Sequence, residues 1–213
     1  MVIKQVSLMH KGGAYHYRLH NQKLNELSRD YPSLIWYLNK VFEKRPDEYF
    51  SNGPRSSTLK FKLNDLNMHQ IIGHEVSDLC HTGLKINNDR YKTSHSKVQV
   101  FMLENDDKTV GAEIPIWIKK DELNGFNGIF NSDEPLTGHI DILRMEGGKV
   151  WVWDYKPRAF DEKYAATQVF FYSLMLSKRS EIPLSKFMCG YFDEKYAFIF
   201  KPELKNLIRE SFL

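Results

Sequence analysis

LTGHIDILRMEGGKVWVWDYKP, residues 136–157, decides how the chain is read. Two apolar runs, Ile140 to Leu143 and Val150 to Trp153, flank Glu146-Gly147-Gly148. β-Branched and aromatic residues favour strands, and paired glycines accept the positive φ of a tight turn, so the stretch predicts a β-hairpin. It carries Asp141 in the first strand, with Asp154 and Lys156 at the end of the second. Residues i and i+2 of a strand point the same way, which sets Asp154 and Lys156 on one face. A carboxylate at the edge of a buried sheet must be paired, hydrogen-bonded or bound to a cation. Two carboxylates converging from neighbouring strands repel unless a cation sits between them, and oxygen donors suit a hard ion such as Mg²⁺ or Mn²⁺. A lysine beside that ion can position water or offset charge growing on a phosphate oxygen. Taken alone, the hairpin is explained more simply by an ordinary cross-strand salt bridge, because Asp-x-Lys is a common tripeptide.

The 213 residues are enough for one sizeable core, with or without an N-terminal appendage. Hydrophobic content of 42% and charged content of 27% are those of a globular protein, and aromatics reach 14%. A net charge of +3 permits a polyanionic partner without requiring one, so any basic surface must be local. No apolar run is long enough for a membrane span, and the N-terminus lacks the apolar core of a signal peptide; a cytoplasmic protein is expected. Cys80 and Cys189, far apart in apolar settings, read as buried thiols. Two thiols are also too few for a four-cysteine iron–sulfur cluster.

Residues 1–20 mix basic residues, His and Tyr around Gly12-Gly13 and read as a loop or short strand suited to nucleic-acid contact or to a solvated face. Asn21 to Arg29 and Ser33 to Lys44 read as helices, and Arg45 to Ser57 as a loop. A helix is expected from about Asn64 to Cys80. On it His74, Asp78 and His81 share a face that could hold zinc, although most such faces are simply exposed. Lys97 to Glu104 and Thr109 to Lys119 read as a hairpin, with Glu113 in its second strand. A loop from Asp121 to Glu134 leads into the central hairpin. Asp161 to Lys178 is an amphipathic helix with Tyr164, Gln168 and Tyr172 on one face, and Lys186 to Phe192 and Tyr196 to Phe200 form a last hairpin. Pro202 is expected to open a short helix running to Leu213. This order predicts an α/β fold, a central mixed β-sheet flanked by helices. The expected division is an N-terminal helical segment over residues 1–60, packed on a core of residues 61–213.

Taken together, these pieces resemble the PD-(D/E)XK nuclease superfamily, in particular its RecB-like branch. The residues carrying the resemblance are Ile72-Gly73-His74-Glu75, Glu113-Ile114-Pro115-Ile116, Thr137-Gly138-His139-Ile140-Asp141, Trp153-Asp154-Tyr155-Lys156 and Gln168-Val169-Phe170-Phe171-Tyr172. They come in the branch's order: a helical His or Glu, Gly-x-x-Asp, acid-x-Lys and Gln-x-x-x-Tyr. The resemblance implies a restriction-endonuclease-like core and a Mg²⁺- or Mn²⁺-dependent deoxyribonuclease. It makes Asp141, Asp154 and the backbone carbonyl of Tyr155 metal ligands, and Lys156 the catalytic lysine. His74 would be the helical ligand, with Glu75 as its rival, because neighbours on a helix point about 100° apart and only one can face the site. Gln168 and Tyr172 would touch DNA or order the site, and Glu113 would be an outer acid or a lysine's partner. The cysteines that bind an iron–sulfur centre in many relatives are absent. DNA is the implied partner, with a homodimer left open. A junction-resolvase-like endonuclease, or an inert nucleic-acid-binding protein that keeps the fold, are the alternatives.

Overall fold

A computed structural model of the protein describes residues 2–123 and 132–207. In chain order its elements are β1 (Ile3–His10), β2 (Gly13–His20), α1 (Asn21–Leu27), α2 (Pro32–Glu43), α3 (Asp47–Asn52), β3 (His69–Ile72), α4 (Glu75–Ile86) and α5 (Ser94–Asn105). They continue with β4 (Thr109–Ile118), β5 (Leu136–Glu146), β6 (Lys149–Tyr155), α6 (Ala165–Ser180), β7 (Phe187–Phe192) and β8 (Tyr196–Phe200). The expected central hairpin is β5–β6. Its two-residue turn puts Gly147 at φ 57° and Gly148 at φ 67°, the conformation whose twist matches that of the flanking strands.

All eight strands join one mixed sheet, in the order β1-β2-β4-β5-β6-β7-β8-β3. Every neighbouring pair is antiparallel except β6 and β7, which α6 connects as a crossover. Alternation along β5 and β6 divides the core between two faces. The pair Leu143 and Val152 joins the cluster that holds Leu38 of α2 with Val169 and Phe170 of α6, while the next pair, Ile142 and Trp153, joins the cluster that holds Val76 and Cys80 of α4 with Met102 of α5. The architecture is thus the expected α/β arrangement of a mixed sheet between helices. Among the described residues no helix is long and apolar enough to cross a membrane.

Several local expectations differ. Residues 3–20 are a long β-hairpin that extends the sheet through Arg18 and Leu19 of β2 on β4. Lys97 to Glu104 is helical rather than a strand. Val98 to Leu103 are all buried between α4 and the sheet, so the segment shows no polar stripe to betray a helical period. The helix expected from Asn64 begins only at Glu75, because His69–Ile72 pairs with β8 as an edge strand instead. Asp47–Asn52 forms a short helix inside the expected loop. The expected C-terminal helix is a 3₁₀ turn at Leu204–Leu207 as far as the described residues reach, and residues 208–213 lie outside them, as do residues 124–131 of the expected Asp121–Glu134 loop.

One buried ion cluster ties these elements together. Arg144 on β5 has no exposed surface, and its guanidinium meets Asp106, just past α5, at 2.8 and 3.2 Å. It also meets Glu75, in the first turn of α4, at 2.9 Å. Lys108 closes the ring on Glu75 at 2.7 Å and on Glu146 at 2.9 Å. Removing one partner of such a pair strands the other charge in the interior. Asp106→Ala should therefore lower unfolding stability by about 3–5 kcal/mol. Urea denaturation measures this, and a loss below about 1 kcal/mol would show that water reaches Arg144.

Candidate active site

The β5–β6 ladder stops at the pair Ile142 and Trp153. Beyond it β5 stays with β4, while β6 continues beside β7 alone. The two strands fork, and the carboxylate of Asp141 takes over a ladder acceptor's task by receiving the Tyr155 N–H at 2.9 Å. A cavity of about 490 Å³ opens at the fork and is lined by Asp141, Asp154, Lys156, Glu113, Gln168 and Tyr172. Six of the residues singled out from sequence thus meet in one place. A larger cavity of about 610 Å³, around Tyr49, Lys119–Asp121 and Asp133–Pro135, holds no comparable constellation.

Asp154 and Asp141 are buried, at 1% and 8% exposure, and that burial is what raises their proton affinity. Asp154 is pushed up to about 6, with Asp141 adding to the shift and Lys156 opposing it. The Lys156 ammonium lies 2.7 Å from Asp154 Oδ2, an ion pair by distance that lacks hydrogen-bond alignment. Burial works against this ammonium, but Asp154 and Asp141 outweigh it and hold its pKa above the usual lysine value. Its hydrogen bond goes to Gln168 Oε1 at 2.9 Å, and Gln168 in turn donates to the Tyr172 hydroxyl at 2.6 Å. The i, i+4 pair on α6 therefore orients the lysine.

Glu113 stands opposite Asp141, between the paired positions Ala112–Ile142 and Ile114–Ile140. Its backbone sits at φ 54°, a left-handed conformation that is strained for a glutamate inside a strand. Oε1 accepts from Gln99 at 2.7 Å, whereas Oε2 is buried and has no partner among the described residues. Burial raises the pKa of this carboxyl too. Two buried aspartates and the half-buried Glu113 in one cavity, with Lys156 the cation paired to one of them, are a donor set that fits a hard divalent cation. Among the described residues no three His, Cys, Asp or Glu side chains already stand as a closed metal cluster. The acids share the cavity without converging on a point.

His74 and Glu75 are not among the residues that line this cavity. α4 starts at Glu75, so His74 is its N-cap, accepting the Val76 N–H on Nδ1 at 3.2 Å with its ring 5.5 Å from that of Trp153. Glu75 belongs to the Arg144 cluster. Burial works against its carboxylate, yet Lys108 and Arg144 hold it down at about 2. The Asp78 and His81 of the considered zinc face gather no cluster either, and His81 pairs instead with Glu194 at 3.3 Å. The helical histidine at the cavity is His95, in the first turn of α5. It lies 3.7 Å from Asp141 Oδ2 and edge-on to the Tyr155 ring, with centroids 5.0 Å apart. Its sequence signal was Thr93-Ser94-His95-Ser96, in which Thr93 caps the helix by accepting the Ser96 N–H; reading the following residues as a strand hid it.

The N-terminal hairpin, expected as a loop or short strand, supplies a further wall of the cavity. Tyr15, His16 and Arg18 line the cavity, together with Arg55 and with His139 on β5. Tyr15 stacks on His139 at 3.8 Å with rings 5° apart. His139 Nε2 is 2.9 Å from His10 Nδ1, and His10 Nε2 is 2.9 Å from Asp47 Oδ1. Burial lowers the pKa of both imidazoles below the usual histidine value, against the pull of Asp47 on His10, which favours their neutral forms near pH 7. A carboxylate only accepts, so the His10 proton sits on Nε2 and its Nδ1 accepts the proton carried by His139 Nε2. This chain fastens the hairpin tip over β5.

The glycine of Gly-x-x-Asp has a steric explanation. A Cβ on Gly138 would collide with the Tyr172 ring and the Ser56 hydroxyl. Gly138→Ala should therefore push Tyr172 and Gln168 away from Lys156 and cost about 1–3 kcal/mol of stability. Thermal unfolding, with a crystal structure of the variant, checks both effects, and an unmoved Tyr172 would refute the account.

Residues 89–206, more than half of the chain, match the family model of the PD-(D/E)XK nuclease superfamily. No curated protein and no solved structure matches the chain.

Proposed function

The chain belongs to the PD-(D/E)XK nuclease superfamily, and from that premise we propose that it is a divalent-metal-dependent nuclease of the RecB-like branch hydrolysing phosphodiester bonds in DNA. Its mixed sheet between helices is consistent with the restriction-endonuclease-like core of the superfamily. The observation that carries the proposal is the meeting of Asp141, Asp154, Glu113 and Lys156 at the β5–β6 fork, where Glu113 Oε2 is buried without a hydrogen-bond partner among the described residues.

Asp141, Asp154 and the Tyr155 carbonyl would hold Mg²⁺ or Mn²⁺, with Glu113 and His95 beside them; the ion would supply Lewis-acid polarisation of the phosphate and a more acidic water. Lys156, kept charged by Asp154 and steered by Gln168, donates to the attacking water or to a phosphate oxygen. Charge grows on that oxygen in the transition state, so the interaction is stronger there than in the ground state. Tyr172 limits the freedom of Gln168 and so of the lysine. Cys80 and Cys189 are buried apart from the site, and the proposal includes no iron–sulfur cluster.

The deciding experiment incubates labelled single-stranded, duplex, flap and four-way DNA with the protein in Mg²⁺, Mn²⁺ or EDTA. Cleavage is expected with either metal and none in EDTA; undiminished cutting in EDTA would sink the two-acid site. In the same assay Lys156→Ala should abolish cleavage while leaving DNA binding intact. His95→Ala should cost more activity than His74→Ala, whose ring caps α4 away from the acids. The reverse order would restore His74 to the site.

Metal binding also has a readout in stability. Asp154 titrates at about 6 in the fold against an ordinary value of 3.8. A carboxyl with a raised folded pKa favours the fold while protonated, so its contribution is full below the ordinary value and is lost as pH rises through about 6. The melting temperature of metal-free protein, taken relative to Asp154→Asn, should fall across that window. Mg²⁺ or Mn²⁺ should restore it above the window, because a cation favours the ionised form. A wild-type curve parallel to that of Asp154→Asn, with and without metal, would refute the assignment.

A further inference from the structure

Two guanidinium groups on the hairpin side of the cavity have no carboxylate at ion-pair distance among the described residues. Arg18 is 6% exposed and donates to the Gln5 side-chain carbonyl at 2.7 Å and to the His16 backbone carbonyl at 3.2 Å. Arg55 donates to the Lys11 carbonyl at 3.0 Å and lies 5.2 Å from the Tyr15 ring centroid. All of these partners are neutral. The other buried or half-buried arginines, Arg45, Arg144 and Arg179, each meet a carboxylate. Among the described residues Arg18 and Arg55 form no such pair, and Glu113 acts on them only from longer range. Burial lowers the pKa of Arg18, as expected for a cation whose charge is not offset. A buried guanidinium without an anion is costly, and its planar fork matches the oxygens of a phosphate.

Both residues lie outside the segment that matches the superfamily, on parts of the chain held in place. The His139–His10–Asp47 chain pins the hairpin tip, and Arg55 sits against that tip where Gly12 leaves room for it. The wall is therefore preorganised opposite the acids.

We propose that Arg18 and Arg55 form a phosphate subsite, gripping a phosphate of the substrate strand next to the one that is cleaved. The assignment rests on the nuclease reading and extends it to the N-terminal hairpin. The bound group is either an internal diester or a terminal monoester, which present the same oxygens.

The test measures affinity in EDTA, across a salt series, for wild type, Arg18→Gln and Arg55→Gln. The probes are linear single-stranded DNA with phosphorylated or hydroxyl ends, and a circular single strand. Each substitution should weaken binding several-fold and reduce the slope of log affinity against log salt by about 0.7, one phosphate's share on a single strand. A wild-type preference for phosphorylated ends that the variants lose identifies a terminal monoester. Equal losses on circular and linear strands identify an internal diester. Unchanged affinity and slope in Arg55→Gln overturn the proposal, and this half-exposed position decides the matter should Arg18→Gln fail to fold. Cleavage by wild type in Mg²⁺ is followed in parallel. Cutting with unchanged slopes removes the subsite alone, while no cutting in any metal removes the nuclease reading and leaves the slopes to judge phosphate binding.

Discussion

A β-ladder satisfies its backbone and, in doing so, fills the space between two strands. At Ile142 and Trp153 this protein gives up that pairing, and the candidate site depends on the release. An N–H left without a partner at the fork would be costly in a buried setting. Asp141 supplies the missing acceptor with its side chain. The same carboxylate thus closes the ladder and faces the cavity, which couples the integrity of the fork to the chemistry proposed there. Asp154 and Lys156 follow on the strand that has just turned away, and α6 crosses above them with Gln168 and Tyr172.

Charge is treated in two ways in this interior. Around Arg144 every buried ion has a close partner, and the cluster joins α4, α5 and β5 into one body. At the fork the balance is left incomplete: acids with raised proton affinity on one side, two arginines with neutral partners on the other. Strain joins this incompleteness, since Glu113 holds a left-handed backbone that most residues avoid. A glycine there would relax the strand and remove a carboxylate of the proposed site.

The sequence disclosed those parts of the fold whose signals are local. The Gly147-Gly148 turn, the apolar alternation of β5 and β6, and the i, i+4 pairing of Gln168 and Tyr172 each carry their own geometry. The resemblance to the superfamily, carried by five short motifs in order, is what gathered Asp141, Asp154, Lys156, Glu113, Gln168 and Tyr172, which the cavity brings together. What stayed hidden was set by distant partners. The stretch Val98 to Leu103 of α5 is buried all round and shows no amphipathic period, so the helix that carries His95 in its first turn was concealed. β3 becomes a strand only because β8 offers an edge, and this moved the start of α4 and turned His74 into a cap. The Tyr15–His139 stack joins positions that no sequence pattern relates.

That last contact bears on the order in which the chain is made. His10 and His139 are separated by 129 positions, and β2 finds its place only on β4. The β1–β2 hairpin must wait for the middle of the chain before it can dock. Closing so long a loop carries an entropic cost that later contacts repay, so this wall forms late in folding. The cavity is therefore complete only once a hairpin whose strands pair with each other has also docked on β4, long after its own residues have been joined.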